Sequence, residues 1–259
     1  AGELSYGQIQ SNEILREWSV YLQKETDITN RGFEMGRLNA DLTKKIFLQS
    51  DIPRHYGLGS SGALVATLFD RYFPEIHKMK LPSLQKFMSE AESFFHGSSS
   101  GIDPLTCYLA KPLIFRSGSI MEPERLSDIR EKLYLLDTGS PSATGSLVPR
   151  FMKLLSDKNF AQLYDGYAEV LHKIIDRLST DTQSDMESLM NDLSCFQLKL
   201  FRPMIPDHML DLWRKGLDSG QYSMKLCGSG GGGFLLVYSE FGKQKLESVM
   251  GTSLTSIRT

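Results

Sequence analysis

Residues 57–62 read Gly-Leu-Gly-Ser-Ser-Gly, between an apolar stretch and a helical pattern. Glycines in such a turn let backbone N–H groups approach an anion and permit positive φ. The first turn of the following helix adds unpaired N–H groups and the positive end of the helix dipole. The hydroxyls of Ser60 and Ser61 can bond phosphate oxygens or join the shell of a divalent cation. Gly57, Leu58, Gly59, Ser60, Ser61 and Gly62 therefore fit a phosphate site, and a tight turn capped by serine explains them equally. No Gly-Lys-Ser/Thr occurs, which excludes a Walker A loop. The glycine spacing is not the dinucleotide fingerprint either.

Glu92 shares one helix face with Leu84, Met88 and Phe95, at spacings of four, four and three. A carboxylate on an apolar stripe needs a partner, such as a metal ion or a lysine, because burying it unpaired costs several kcal/mol. Otherwise it sits at the stripe's edge and reaches water. The polar segment His96–Pro104 follows at once. Asp103 before Pro104 suits a helix N-cap with proline at the first helical position. It equally suits a carboxylate held near a substrate hydroxyl, as base or orienting group. His96 reads as a ligand or as a hydrogen-bonded structural histidine. A second glycine run, Gly228-Ser229-Gly230-Gly231-Gly232-Gly233, joins two apolar strands. A hairpin needs only one or two glycines, so this run implies close approach to a ligand or to another backbone.

The elements that must position these residues follow from periodicity. Helices are predicted from Ser11 to Lys24 with Ile14, Trp18 and Leu22 on one face, over Ala63–Phe73, and over Leu84–Phe95 with Ser83 as cap. Strands are predicted at Lys45–Ile52, Leu113–Phe115 and Leu133–Leu136. Beyond Ser146 the pattern turns to amphipathic helices at Leu147–Leu155, Ala161–Arg177, Met186–Leu200 and Pro206–Leu217. Strands at Met224–Cys227 and Phe234–Tyr238 and a helix at Lys243–Met250 complete the chain. Strands gather in the first half and helices in the second, which predicts an α+β fold in two lobes. The domains are expected at 1–139 and 140–259.

Composition is that of a globular chain, with 41% hydrophobic and 23% charged residues. A net charge of −2 gives no basic footprint for nucleic acid. No apolar run is long enough for a bilayer, and no signal peptide is visible. Three scattered cysteines, Cys107, Cys195 and Cys227, offer neither a zinc pattern nor a disulfide framework. They suit a reducing compartment, and the cytoplasm is expected.

Together these motifs resemble the GHMP kinases. The second motif of that family, Pro-x-x-x-Gly-Leu-Gly-Ser-Ser-Ala-Ala, stands here as Pro53 to Ala63 with Gly62 in place of alanine. The third, a Lys-Leu-x-Gly-x-Gly-Gly-Gly-Gly segment, matches Lys225 to Gly233. Mevalonate kinases carry a glutamate four residues before His-Gly-x-x-Ser-Gly-x-Asp, matched by Glu92, His96, Gly97, Ser100, Gly101 and Asp103. The resemblance implies a lobe like ribosomal protein S5 domain 2, followed by a helix-rich ferredoxin-like lobe. It implies ATP-dependent phosphorylation of a small-molecule hydroxyl, foremost mevalonate in isoprenoid synthesis. Another GHMP kinase, or a non-catalytic nucleotide-binding relative, is the alternative. By the same resemblance Gly57 to Gly62 cradle ATP, Gly228, Gly230 and Gly231 back the phosphate site, and Ser61 and Glu92 hold Mg²⁺. Asp103 takes or orients the proton of the attacking hydroxyl. His96 and Thr144 contact substrate, the latter within Ser142-Ala143-Thr144, which resembles the family's Arg-Ser-Thr segment but lacks its arginine. The family's first motif, with its basic residue, is also missing, which implies a natural polypeptide with further N-terminal residues. Lys44 and Lys45 precede a predicted strand without the Gly-Glu that would complete that motif. A monomer or homodimer with a small-molecule substrate is expected.

Overall fold

The computed structural model describes residues 5–25, 28–116, 118–123, 127–142, 151, 158–180 and 185–257. Packing divides the chain into two compact units. One comprises Ala1–Pro53 with Gly59–Ile120, and the other Arg54–Leu58 with Met121–Thr259.

The first unit is built mainly of helices: α1 (Tyr6–Glu25), α2 (Met35–Thr43), α3 (Ser60–Tyr72), α4 (Leu81–His96) and α5 (Ile102–Leu109). A short hairpin follows, β1 (Ile114–Arg116) and β2 (Ser119–Met121). Apolar side chains at helical spacing meet in one core that includes Trp18, Leu22, Leu38, Val65, Phe69, Met88 and Leu105. In α1 the buried face runs through Leu15, Trp18 and Leu22 rather than Ile14, which is only partly covered. Periodicity at Met35, Leu38 and Leu42 marks α2, a helix that the sequence reading passes over.

Two expectations are corrected here. Lys45–Ile52 is not a strand. A strand needs a ladder partner for its backbone, and side chains of α1 take that place. Ser11 Oγ both accepts from Leu48 N (2.9 Å) and donates to Leu48 O (3.1 Å). Asn12 Nδ2 donates to Ile46 O at 2.6 Å. Ser83 does not cap α4 either. The helix starts three residues earlier than expected, with Lys80 at the N-cap and Pro82 in the first turn, where a missing N–H is harmless.

The second unit holds an antiparallel sheet of β3 (Leu133–Asp137), β4 (Ser223–Leu226), β5 (Phe234–Tyr238) and β6 (Thr255–Ser256), in the order β4-β5-β3-β6. A single turn, α6 (Ser127–Arg130), precedes β3, and α7 (Lys158–Ser179), α8 (Met186–Leu200), α9 (Leu210–Ser219) and α10 (Lys243–Met250) complete the unit. Met224, Leu235, Val237 and Tyr134 supply the sheet's side of a core shared with Trp213 and Leu246. The expected gathering of strands in the first half is thus reversed among the described residues, although the α+β class holds. The expected seam at 139/140 and the packing division at 120/121 differ for one reason. β3 hydrogen-bonds both β5 and β6 and so packs with the second unit. The helix expected at Leu147–Leu155 lies almost wholly outside the described residues.

Candidate functional site

In the first unit, the site starts at the N-terminus of α3. Gly59 is its N-cap, left-handed at φ 67°, and no side chain caps the helix. An L-residue with a Cβ is disfavoured there by about 1–2 kcal/mol. Ser60 and Ser61 form the first turn, whose N–H groups have no acceptor within the helix. The glycine at 62 also has a physical reason. A Cβ on Gly62 would lie 2.8 Å from both the carbonyl carbon and the Cβ of Asp103, so α3 and α5 approach more closely than alanine allows. We expect Gly62→Ala to cost about 1–3 kcal/mol as overpacking, measured by denaturant unfolding. An unchanged unfolding free energy would show that α5 yields freely.

Glu92, from the middle of α4, is 4% exposed. Both its oxygens are engaged. Ser61 Oγ donates to Oε1 at 2.9 Å, and Ser99 Oγ donates to Oε2 at 2.5 Å. Charge-assisted bonds of this kind offset the desolvation of a buried carboxylate. His96 Nε2 lies 2.9 Å from Ser61 Oγ. Because the single hydroxyl hydrogen goes to Glu92, Nε2 must carry the hydrogen and donate. Asp103 is exposed on α5, and its Oδ2 is 3.5 Å from where a Cβ on Gly59 would stand. It is not the N-cap of α5, which is Gly101 at φ 72°. Asp103 lies within the first turn, where a negative charge faces the favourable end of the helix dipole. The Cys107 thiol, one turn on, is pushed up in pKa by burial and then by the carboxylates of Asp103 and Glu92. It is therefore a poor nucleophile.

The pair Ser61 and Glu92 fits a magnesium ion. Neighbouring ligands of an octahedral Mg²⁺, each at about 2.1 Å, stand about 3 Å apart. Ser61 Oγ and Glu92 Oε1 are separated by 2.9 Å. Among the described residues no group of three or more His, Cys, Asp and Glu side chains is placed to hold a metal. Mg²⁺ does not require one, since it binds through one or two carboxylates together with phosphate and water.

In the second unit, the second glycine run lies against residues 54–58. A Cβ on Gly57 would stand 2.7 Å from Cys227 O, and one on Gly233 would stand 2.5 Å from three backbone atoms of Tyr56. Phe234 N donates to Tyr56 O (3.0 Å), and Ser142 N donates to His55 O (2.6 Å), holding His55 at φ 62°. Gly231 N donates to Met204 O and Gly230 N to Cys227 O. The close approach implied by this run is thus to backbone. The N–H groups of Gly230 and Gly231 bind protein carbonyls, and the run braces the loop that leads into Gly57 and Leu58. Thr144 lies outside the described residues. Ser99 is the residue that motif spacing does not reveal. It occupies a variable position of the His96–Asp103 segment, and its role arises only when that segment folds back on α4.

Residues 21–111 match the family profile described as GHMP kinases N terminal domain. Over that stretch the chain is similar to a GHMP kinase N-terminal domain. The matched stretch includes the Gly57–Gly62 loop, Glu92, His96, Ser99 and Asp103. No curated protein sequence matches. Solved structures share the GHMP kinase fold at low identity. A Listeria innocua protein superposes with a TM-score of 0.59 and 16% identity, over 97% of this chain and 76% of that one. The L. major mevalonate kinase in complex with R-mevalonate gives 0.54 and 17%, over 74% and 60%. The Streptococcus pneumoniae phosphomevalonate kinase gives 0.56 and 14%, over 96% and 81%. The aligned chain thus spans less than two thirds of the L. major enzyme. Among the described residues no helix is long and apolar enough to cross a membrane.

Proposed function

We propose that this GHMP-fold chain is an ATP- and Mg²⁺-dependent kinase of a small-molecule hydroxyl, with mevalonate as the first candidate substrate. The observation that carries the reading is the Ser61–Glu92 pair, 2.9 Å apart at the start of α3, with Asp103 alongside Gly59. Mevalonate is placed first because Glu92, His96 and Asp103 stand at the spacing of the mevalonate kinase motif.

In this reading the loop from Gly57 to Ser61 receives the triphosphate through backbone N–H groups and the helix dipole. Ser61 and Glu92 hold Mg²⁺, which neutralises charge developing on the phosphate oxygens. Asp103 accepts the proton of the substrate hydroxyl. The hydroxyl oxygen bonds the γ-phosphorus, the bond to the bridging oxygen of ADP breaks, and ADP leaves. Positioning and electrostatics supply the rate, as phosphoryl transfer requires. Gly228, Gly230 and Gly231 act by shaping the approach to Gly57.

ADP release from the full chain, with mevalonate, phosphomevalonate, homoserine or galactose as acceptor, tests this function. We expect Mg²⁺-dependent release with mevalonate. Release with another acceptor alone would reassign the substrate within the GHMP kinases. Nucleotide binding without release on any acceptor would leave a non-catalytic nucleotide-binding protein.

A further inference from the structure

We propose that Ser99 is a positioning residue that fixes the Glu92 carboxylate for metal binding, an inference that rests on the reading of Glu92 as a Mg²⁺ ligand. Four contacts build the device. Gly97, left-handed at φ 72°, reverses the chain at the end of α4. The segment then runs back along the helix, where Ser89 Oγ donates to Ser99 O (2.6 Å) and Gln85 Nε2 donates to Ser100 O (2.9 Å). Gly101 lets it lie flat, since a Cβ there would stand 2.3 Å from Gln85 O. Gly101 N donates to Ser99 Oγ at 2.9 Å, so the hydroxyl accepts one bond and turns its own hydrogen to Glu92 Oε2.

The consequence lies in the carboxylate's orientation. A glutamate side chain turns broadly about its last torsion. With Oε2 tethered by Ser99, Oε1 stays directed at Ser61, and the two metal-facing oxygens keep their 2.9 Å separation before any ion arrives. Hydrogen bonds that orient a metal ligand in this way are typically worth about 10–100-fold in metal affinity. Without the Ser99 hydroxyl, a buried acceptor loses its donor and the carboxylate is free to rotate away.

The test is Mn²⁺ binding to the full chain saturated with ADP, read from the EPR signal of free Mn²⁺, for wild type, Ser99→Ala, Ser99→Thr and Glu92→Gln. Ser99→Ala is expected to weaken Mn²⁺ binding about tenfold or more, while Ser99→Thr, which keeps the hydroxyl, retains wild-type affinity. Glu92→Gln is expected to lose more than either. Circular dichroism checks folding, and Ser99→Cys, with its weak S–H donor, replaces Ser99→Ala should that variant not fold. Wild-type affinity in Ser99→Ala alongside weakened binding in Glu92→Gln overturns the role of Ser99 and leaves Glu92 as ligand. Wild-type affinity in Glu92→Gln overturns the metal reading of Glu92 itself.

Discussion

Asp103→Asn is expected to lower turnover by about 10²–10⁴-fold, the range for removing a general base from a transition state. Asparagine preserves the size of the side chain and its place in the first turn of α5, but it cannot accept the hydroxyl proton. Asp103 is exposed, so the substitution removes no buried bond. The lost interaction of its charge with the helix dipole is worth only about 0.3–1 kcal/mol. Nucleotide affinity and the unfolding midpoint should therefore stay near wild type while kcat collapses. Parallel ADP-release kinetics and calorimetric ADP titration separate these quantities. A kcat close to wild type would remove Asp103 from the chemistry.

Trp18→Ala carries the largest expected stability effect, about 3–5 kcal/mol. Trp18 is fully buried on α1. It packs edge-on to Phe33 with centroids 6.1 Å apart, and its Nε1 donates to Ala91 O of α4 at 2.9 Å. Alanine leaves a cavity in the first unit's core and removes the bond tying α1 to α4 one residue before Glu92. Denaturant unfolding of the full chain measures the loss. A change below about 1 kcal/mol, the scale of one net hydrogen bond, would mean that α1 contributes little to holding α4.

Helices and strands with strong periodicity were legible directly. Met186–Leu200, Phe234–Tyr238 and Lys243–Met250 take the same bounds in sequence and structure, because each carries its own apolar pattern between clear breaks. Lys45–Ile52 misled because strand propensity reports a surface to be packed rather than a ladder partner, and Ser11 and Asn12 bind that backbone instead. At Asp103 the Asp-Pro pair suggested a cap two residues too late. The preceding Gly101 accommodates the left-handed capping conformation, leaving the carboxylate inside the helix. The apolar stripe did single out Glu92 as a carboxylate in want of a partner, and Ser61 and Ser99 now stand at its two oxygens. Only the first of those partners lies in the Gly57–Gly62 loop. The other comes from a chain reversal whose contacts depend on Gly97 and Gly101 together, which no single motif encodes.

That reversal also bears on the entropy of assembly. The Glu92–Ser99 bond closes a separation of 7 residues, and Ser61–Glu92 one of 31. Ring-closure entropy grows as (3/2)RT ln n, so the longer contact costs about 1.3 kcal/mol more to close. The acid's bond to its hydroxyl tether is thus the cheaper of the two to close, and it ties the chain reversal to α4 without help from the distant loop.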